Sequence, residues 1–142
     1  YDGASTGSGA VLVQYGGSWT GTYTITSVDA VIYGDGALGT SVNLPGDIDG
    51  DGQADLLLGA PTSVIGGLVY LASGDVLGSV TLTDSQLASW SAEASGDALG
   101  TSIGGVLDLD ADGILDLAAA APGFDTTSAR TSAGKVYVLP GY

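Results

Sequence analysis

Asp47, Asp49, Asp51 and Asp55 occupy the first, third, fifth and ninth places of a short run, with Gly52 at the sixth. Sixty-one residues later Asp108, Asp110, Asp112 and Asp116 repeat the pattern around Gly113. Alternate residues of a loop that curls about a point can aim their side chains inward. The carboxylates would then offer hard oxygen ligands, and Gln53 and Ile114, at the seventh place, would each offer a backbone carbonyl. A sixth-place glycine permits the sharp turn. Hard oxygens in a flexible cage suit calcium, and the sequence has no His or Cys to suit zinc or copper. Twelfth-place Leu58 and Ala119 exclude the EF-hand loop, which closes on a glutamate there. An acidic turn without a cation has a similar composition, but two copies in one context point to two calcium sites. Without a cation, four carboxylates in each loop would repel one another within a few ångströms.

These loops need strands to hold them. Each runs straight into an apolar segment closed by proline, residues 56–61 and 117–122. Such unbroken runs read as strands buried on both faces, over residues 54–60 and 115–121. Residues 118–121 are helix-forming by propensity alone, but their repeat equivalents, residues 57–60, overrule that. Further strands are expected over residues 9–16, 22–26, 36–42, 66–74, 78–83, 99–105 and 134–139. Residues 27–35 read as a connector, and residues 1–8 as a loop. With 25 glycines in 142 residues, the turns are many and tight, and the fold class is all-β.

Residues 9–16, 67–74 and 134–141 align as third strands. Each unit therefore reads as four antiparallel strands graded from apolar to half-polar, the pattern of a propeller blade. The expected division is residues 1–32 as the outer strands of one blade, 33–94 as a complete blade, and 95–142 as a blade lacking its outer strand. Closure needs at least four blades, about 244 residues at this period. A chain of 142 residues, opening at Tyr1 without a methionine, reads as a processed or excised piece or as a subunit that assembles.

The units resemble FG-GAP repeats, the blades of the integrin alpha-subunit N-terminal β-propeller and its bacterial relatives. Leu38-Gly39 and Leu99-Gly100 stand at the "FG" position, and Gly59-Ala60-Pro61 and Ala120-Ala121-Pro122 at the "GAP" position. Leucine for phenylalanine and Ala120 for glycine depart from the pattern; the acidic loops are intact. This resemblance implies calcium in both loops and recognition of a protein or glycan outside the cell, with the ligand itself unspecified.

Composition bounds the rest. Two basic residues, Arg130 and Lys135, against sixteen acidic ones give a net charge of −14, which argues against nucleic acid and anionic membranes. Eight of those acids lie in the two loops, so two calcium ions would bring −14 to −10. No cysteine is present to form disulfides. A calcium staple works where calcium is abundant, outside the cell, and a chain poor in Lys and Arg suits that setting. No signal peptide or membrane-spanning run is visible.

The function expected is a non-enzymatic adhesion or structural module. Self-association into a ring or filament through open blade edges is one specific version. The alternative is a propeller portion of a secreted carbohydrate-active enzyme. Asp35, Glu93, Asp97 and Asp125 are the carboxylates such chemistry would draw on, but no His, Cys or basic cluster accompanies them. Tyr15, Tyr70 and Tyr137 recur in the third strands, as packing residues or as a sugar platform. Trp19 and Trp90, placed in loops, are candidate exposed contacts.

Overall fold

In the computed structural model, the residues described are 8–17, 20–22, 26–63, 65–105, 108–126 and 131–141. Residues 1–7, most of the strand expected at 22–26, Trp19, Arg130 and Tyr142 lie outside them. Ten strands and one short helix follow in order: β1 (Gly9–Val13), β2 (Ala30–Gly34), β3 (Ser41–Gly46), β4 (Asp55–Ala60), β5 (Leu68–Ala72), β6 (Gly78–Thr81), α1 (Leu82–Ser85), β7 (Gln86–Ser91), β8 (Ser102–Gly105), β9 (Leu117–Ala121) and β10 (Lys135–Leu139). Among the described residues the fold is all-β apart from that helical turn.

They form three sheets, ordered β1-β2-β6, β3-β4-β5-β7 and β8-β9-β10. The middle sheet is a complete antiparallel blade, and the last pairs the same first three strands among the described residues. Every residue of β4 is buried, because sheets cover it on both sides. On one side Leu56, Leu58 and Ala60 meet Val11, Ala30 and Ile32 of the first sheet and Leu38 of the turn before β3. On the other, Leu57 joins Val69, Leu71, Leu99, Leu117, Ala119 and Ala121 in a second cluster. Each fully buried leucine contributes about 2 kcal/mol, so these two joints hold the stack. Alternation within β4 thus sends side chains to both neighbours, as the unbroken apolar run requires.

The glycines of the third strands make the joints close. A Cβ on Gly9 would fall on the backbone of Leu38, and one on Gly67 on the backbone of Leu99. The "FG" segment of each unit therefore lies across the third-strand glycine of the unit before. Leu99 donates its N–H to Gly66 O at 3.1 Å, and Gly67 and Leu99 form an isolated parallel bridge. Ser41 Oγ donates to Gly100 O at 2.6 Å, and Gly105 N–H donates to Asn43 Oδ1 at 2.8 Å.

Several strand positions differ from the sequence expectation. Residues 36–40 are a turn, and residues 100–101 are another after the Leu99 bridge, with Ala37 and Ala98 at φ 58° and 57°, so β3 and β8 start later than read. The fourth strand of the complete blade is β7, opposite β5, and not residues 78–83. Residues 78–81 do form a strand, β6, but it pairs in parallel with β2 of the first sheet. Residues 27–35 are correspondingly no mere connector, since β2 lies within them and pairs with β1. The reason is shared: outer strands are polar and short, and their hydrogen-bonding partners lie far along the chain. Trp90 moves with this correction. It sits in β7 opposite Val69, half-buried against the second cluster, rather than in a loop. Residues 118–121 are strand, as the repeat comparison requires.

Candidate metal centre

Each acidic loop joins the first strand of its sheet to the second. In the first loop, Gly50 and Gly52 donate their N–H groups to the two oxygens of Asp47 at 2.7 and 2.9 Å. In the second, Asp112 and Gly113 do the same for Asp108 at 3.1 and 2.9 Å. Asp51 and Asp112 each accept the N–H two residues on, from Gln53 at 2.7 Å and Ile114 at 2.8 Å. The two loops thus fold alike, by short-range bonds between aspartate side chains and backbone amides.

Three carboxylates converge in each loop. Asp47, Asp49 and Asp55 bring one oxygen apiece within 4.8 Å of one another, and so do Asp108, Asp110 and Asp116. Asp51 and Asp112 stand outside these groupings and cap their own turns. Of Gln53 and Ile114 the hydrogen bonds define only the N–H groups. Asp55 and Asp116 start the second strand of their blades or lie just before it, and both are buried. Their Oδ2 atoms anchor the loop: Asp55 accepts from Ile48 N–H at 2.8 Å and Asp49 N–H at 3.3 Å, and Asp116 from Leu109 N–H at 2.7 Å.

Asp55 carries the strongest sign of a missing partner. It is 0% exposed, and among the described residues its Oδ1 has no hydrogen-bond partner. Burial pushes its carboxyl up from the ordinary value. The Ile48 and Asp49 amides oppose the rise, the Asp49 charge adds to it, and the Gly74 amide opposes it more weakly from outside good bonding geometry. A buried acceptor left bare costs about 1–3 kcal/mol. A hard divalent cation in the three-carboxylate grouping would remove that cost, and an all-oxygen donor set fits calcium.

A third-strand exit glycine backs each site. A Cβ on Gly74 would meet Ala54 O, and one on Gly141 would meet Leu115 O, the residues preceding Asp55 and Asp116. Nothing in the loops themselves signals this contact; only the 61- and 67-residue offsets between the repeats do.

The same arrangement thus recurs in two units: an FG turn, an acidic loop and a GAP strand. A family model described as the FG-GAP repeat matches residues 39–76 and 99–139. The chain belongs to the FG-GAP family. Integrin alpha-X of Homo sapiens is 35% identical over 102 residues, covering 67% of this chain and 9% of the integrin. The chain thus spans about a tenth of the length of that curated relative. Within this FG-GAP frame the sheets are blades of an incomplete propeller, and no closed barrel forms among the described residues.

The FG-GAP joint explains one departure from the motif. Gly59 is glycine because a Cβ there would collide with Gly100 O of the next blade and with Ser41 Oγ. Its counterpart Ala120 faces no further blade in this structure.

The other candidate residues are engaged elsewhere. Asp97 is buried and its Oδ2 accepts from Ala94 N–H at 2.9 Å. Asp125 Oδ1 accepts from Ser132 N–H at 2.6 Å. Glu93 pairs with Lys135 and accepts from Tyr137 Oη at 2.8 Å. Lys135 Nζ also lies over the Phe124 and Tyr137 rings, 4.4 and 4.7 Å from their centroids. Tyr70 packs into the first cluster and Tyr137 against the second. Tyr15 lies beyond β1 and its hydroxyl shares its one proton between the carbonyls of Gly74 and Val76. All three tyrosines are half-buried. No helix among the described residues is long and apolar enough to cross a membrane.

Proposed function

We propose that this chain is an extracellular FG-GAP propeller module, stapled by two calcium ions and used for adhesion or structural protein–protein assembly. The observation that carries it is the buried, unpartnered Oδ1 of Asp55 inside a three-carboxylate grouping. Asp47, Asp49 and Asp55 would hold one ion, and Asp108, Asp110 and Asp116 the other. Asp51, Gln53, Asp112 and Ile114 would complete the shells. The ions would brace the loop between first and second strands and perform no chemistry. The working division is residues 1–32, 33–94 and 95–142, with the first boundary running on to Gly34, where β2 ends, and the role is non-enzymatic.

Self-assembly is a specific form of this reading. The middle sheet buries Leu57, Val69 and Leu71 against the last sheet. The matching face of the last sheet carries Ala118, Ala120, Val136 and Val138, and those valines are 67% and 57% exposed. A back face of another copy, such as that of β1 and β2, would cover it head to tail. That joint would be looser than the one within the chain, because Ala120 fills the place that Gly59 leaves open.

Light scattering with electron microscopy, in calcium and then in chelator, tests the assembly. A calcium-dependent ring or filament supports it. A monomer of unchanged mass in both conditions rejects self-assembly, leaving binding of other partners.

A further inference from the structure

Tyr15 ties the first sheet to the turn that backs the first acidic loop. It follows β1, and its own backbone is pinned there. Tyr15 N–H donates to Asp29 Oδ2 at 2.8 Å, and Gln14 Nε2 donates to the same oxygen. Asp29 N–H in turn donates to Val13 O at 3.0 Å. From that anchor the side chain reaches across to the middle sheet. Its hydroxyl proton is shared between Gly74 O and Val76 O, and its hydroxyl oxygen accepts from Val76 N–H at 3.1 Å. One hydroxyl thus engages three backbone groups of the turn at residues 74–76. Val76 is buried in the first apolar cluster, where it helps to seat that turn.

The same turn is the back wall of the first site. Gly74 lies so close to the loop that a Cβ on it would come within 1.8 Å of Ala54 O. Its amide is one of three that act on the Asp55 carboxyl, whose Oδ1 has no partner among the described residues. Groups behind a metal ligand set its orientation, and a small displacement weakens the site. In the alignment of third strands, the place of Tyr15 is taken in the next unit by Ser73. The Ser73 Oγ accepts from Asp75 N–H at 3.2 Å, within its own turn. The two loops therefore share a ligand pattern, but Tyr15 supports only the first.

We propose that Tyr15 is a positioning residue for the first calcium site, and that calcium there tightens the joint between the first and middle sheets. The proposal rests on the calcium reading above. The hydroxyl holds the turn, the turn holds Ala54 and Asp55 from behind, and Asp55 presents its free oxygen. An ion that binds better when the turn is held must hold the turn better in return. The second site, at Asp108, Asp110 and Asp116, takes no part in this coupling.

The test isolates each site: Asp110→Ala leaves the first and Asp49→Ala leaves the second. Each protein is titrated calorimetrically with calcium chloride, with and without Tyr15→Phe, which keeps the ring and removes the hydroxyl. The expected result is a Kd raised about fivefold at the first site, as for one lost hydrogen bond, and changed by less than about twofold at the second. In the Asp110→Ala protein, saturating calcium should also slow hydrogen exchange at the Val76 amide by about fivefold or more, and Tyr15→Phe should abolish that slowing. A merely structural tyrosine would lower the melting temperature in chelator while moving both affinities equally or neither. Either pattern overturns the proposal and leaves calcium binding itself standing. Exchange at Val76 that ignores calcium overturns it without any change at Tyr15, so the test stays decisive even where Tyr15→Phe fails to fold. A parent protein that binds no calcium overturns this proposal together with the reading beneath it.

Discussion

Leu99 crosses Gly67 with no room for a methyl group between them. Leu38 crosses Gly9 in the same way. The joint between FG-GAP units is thus a backbone-on-backbone contact, and apolar side chains close around it. Gly67 is held at φ 116° and Gly134, its counterpart, at φ 76°, but a Cβ on Gly134 would meet nothing nearer than 3.8 Å. Gly67→Ala should cost about 3 kcal/mol or more, through overpacking and backbone strain together. Gly134→Ala should cost about 1 kcal/mol, from the positive φ alone. Urea denaturation of both variants measures the difference.

Asp55 sets the sign of a second prediction. Its folded pKa is raised, chiefly by burial, so the folded state favours the protonated form. Its contribution to stability is present below the ordinary value of 3.8 and is lost as pH rises through the folded value. At neutral pH in chelator, Asp55→Asn should therefore be at least as stable as the parent. In calcium the order reverses, because the variant forfeits roughly half of the stabilisation that two bound ions confer. Thermal melts of both proteins, with and without calcium, test this crossing.

Glu93 gives a pH dependence of the opposite kind. Its bond to Lys135, aided by one from Tyr137, holds its carboxyl below the ordinary 4.5, and Glu93 in turn holds the Lys135 ammonium above its ordinary 10.5. The Glu93 contribution is present above pH 4.5 and is lost as pH falls through the lower folded value. Glu93→Gln should melt lower than the parent at pH 7. The gap should close as pH falls well below the ordinary value, once the Glu93 carboxyl is protonated in the folded protein as well.

Ala111 predicts a stabilising change. It sits at φ 64° where the first loop has Gly50 at φ 81°. A left-handed alanine costs about 1–2 kcal/mol, and glycine relieves it at some cost in chain entropy. Ala111→Gly should stabilise the protein by roughly 0.5–1 kcal/mol, read from the urea midpoint.

The blades, the loops and the third-strand alignment were legible because each is a local pattern repeated at a fixed offset. Asp47 and Asp108 announce the loops, and 56–60 and 117–121 announce the buried strands. Sheet membership was not legible for the outer strands. Gln86, Ser89 and Ser91 give β7 the look of a loop, and its identity rests on pairing with β5. Residues 78–81 have strand character, but nothing local says that they leave their own blade for the one before. The reason for Gly59 and Ala120 was likewise hidden, since it lies in the Gly100 carbonyl 41 residues beyond Gly59. Within the loops, spacing alone does not say which carboxylates converge; Asp47, Asp49 and Asp55 do so in one loop and Asp108, Asp110 and Asp116 in the other.

Calcium stoichiometry measured by titration calorimetry, on the parent and on Asp49→Ala and Asp110→Ala, tests the central claim most directly. The account predicts two ions for the parent, one for each variant, and a fall in melting temperature in chelator. A parent that binds no calcium, or whose stoichiometry survives both substitutions unchanged, would contradict it.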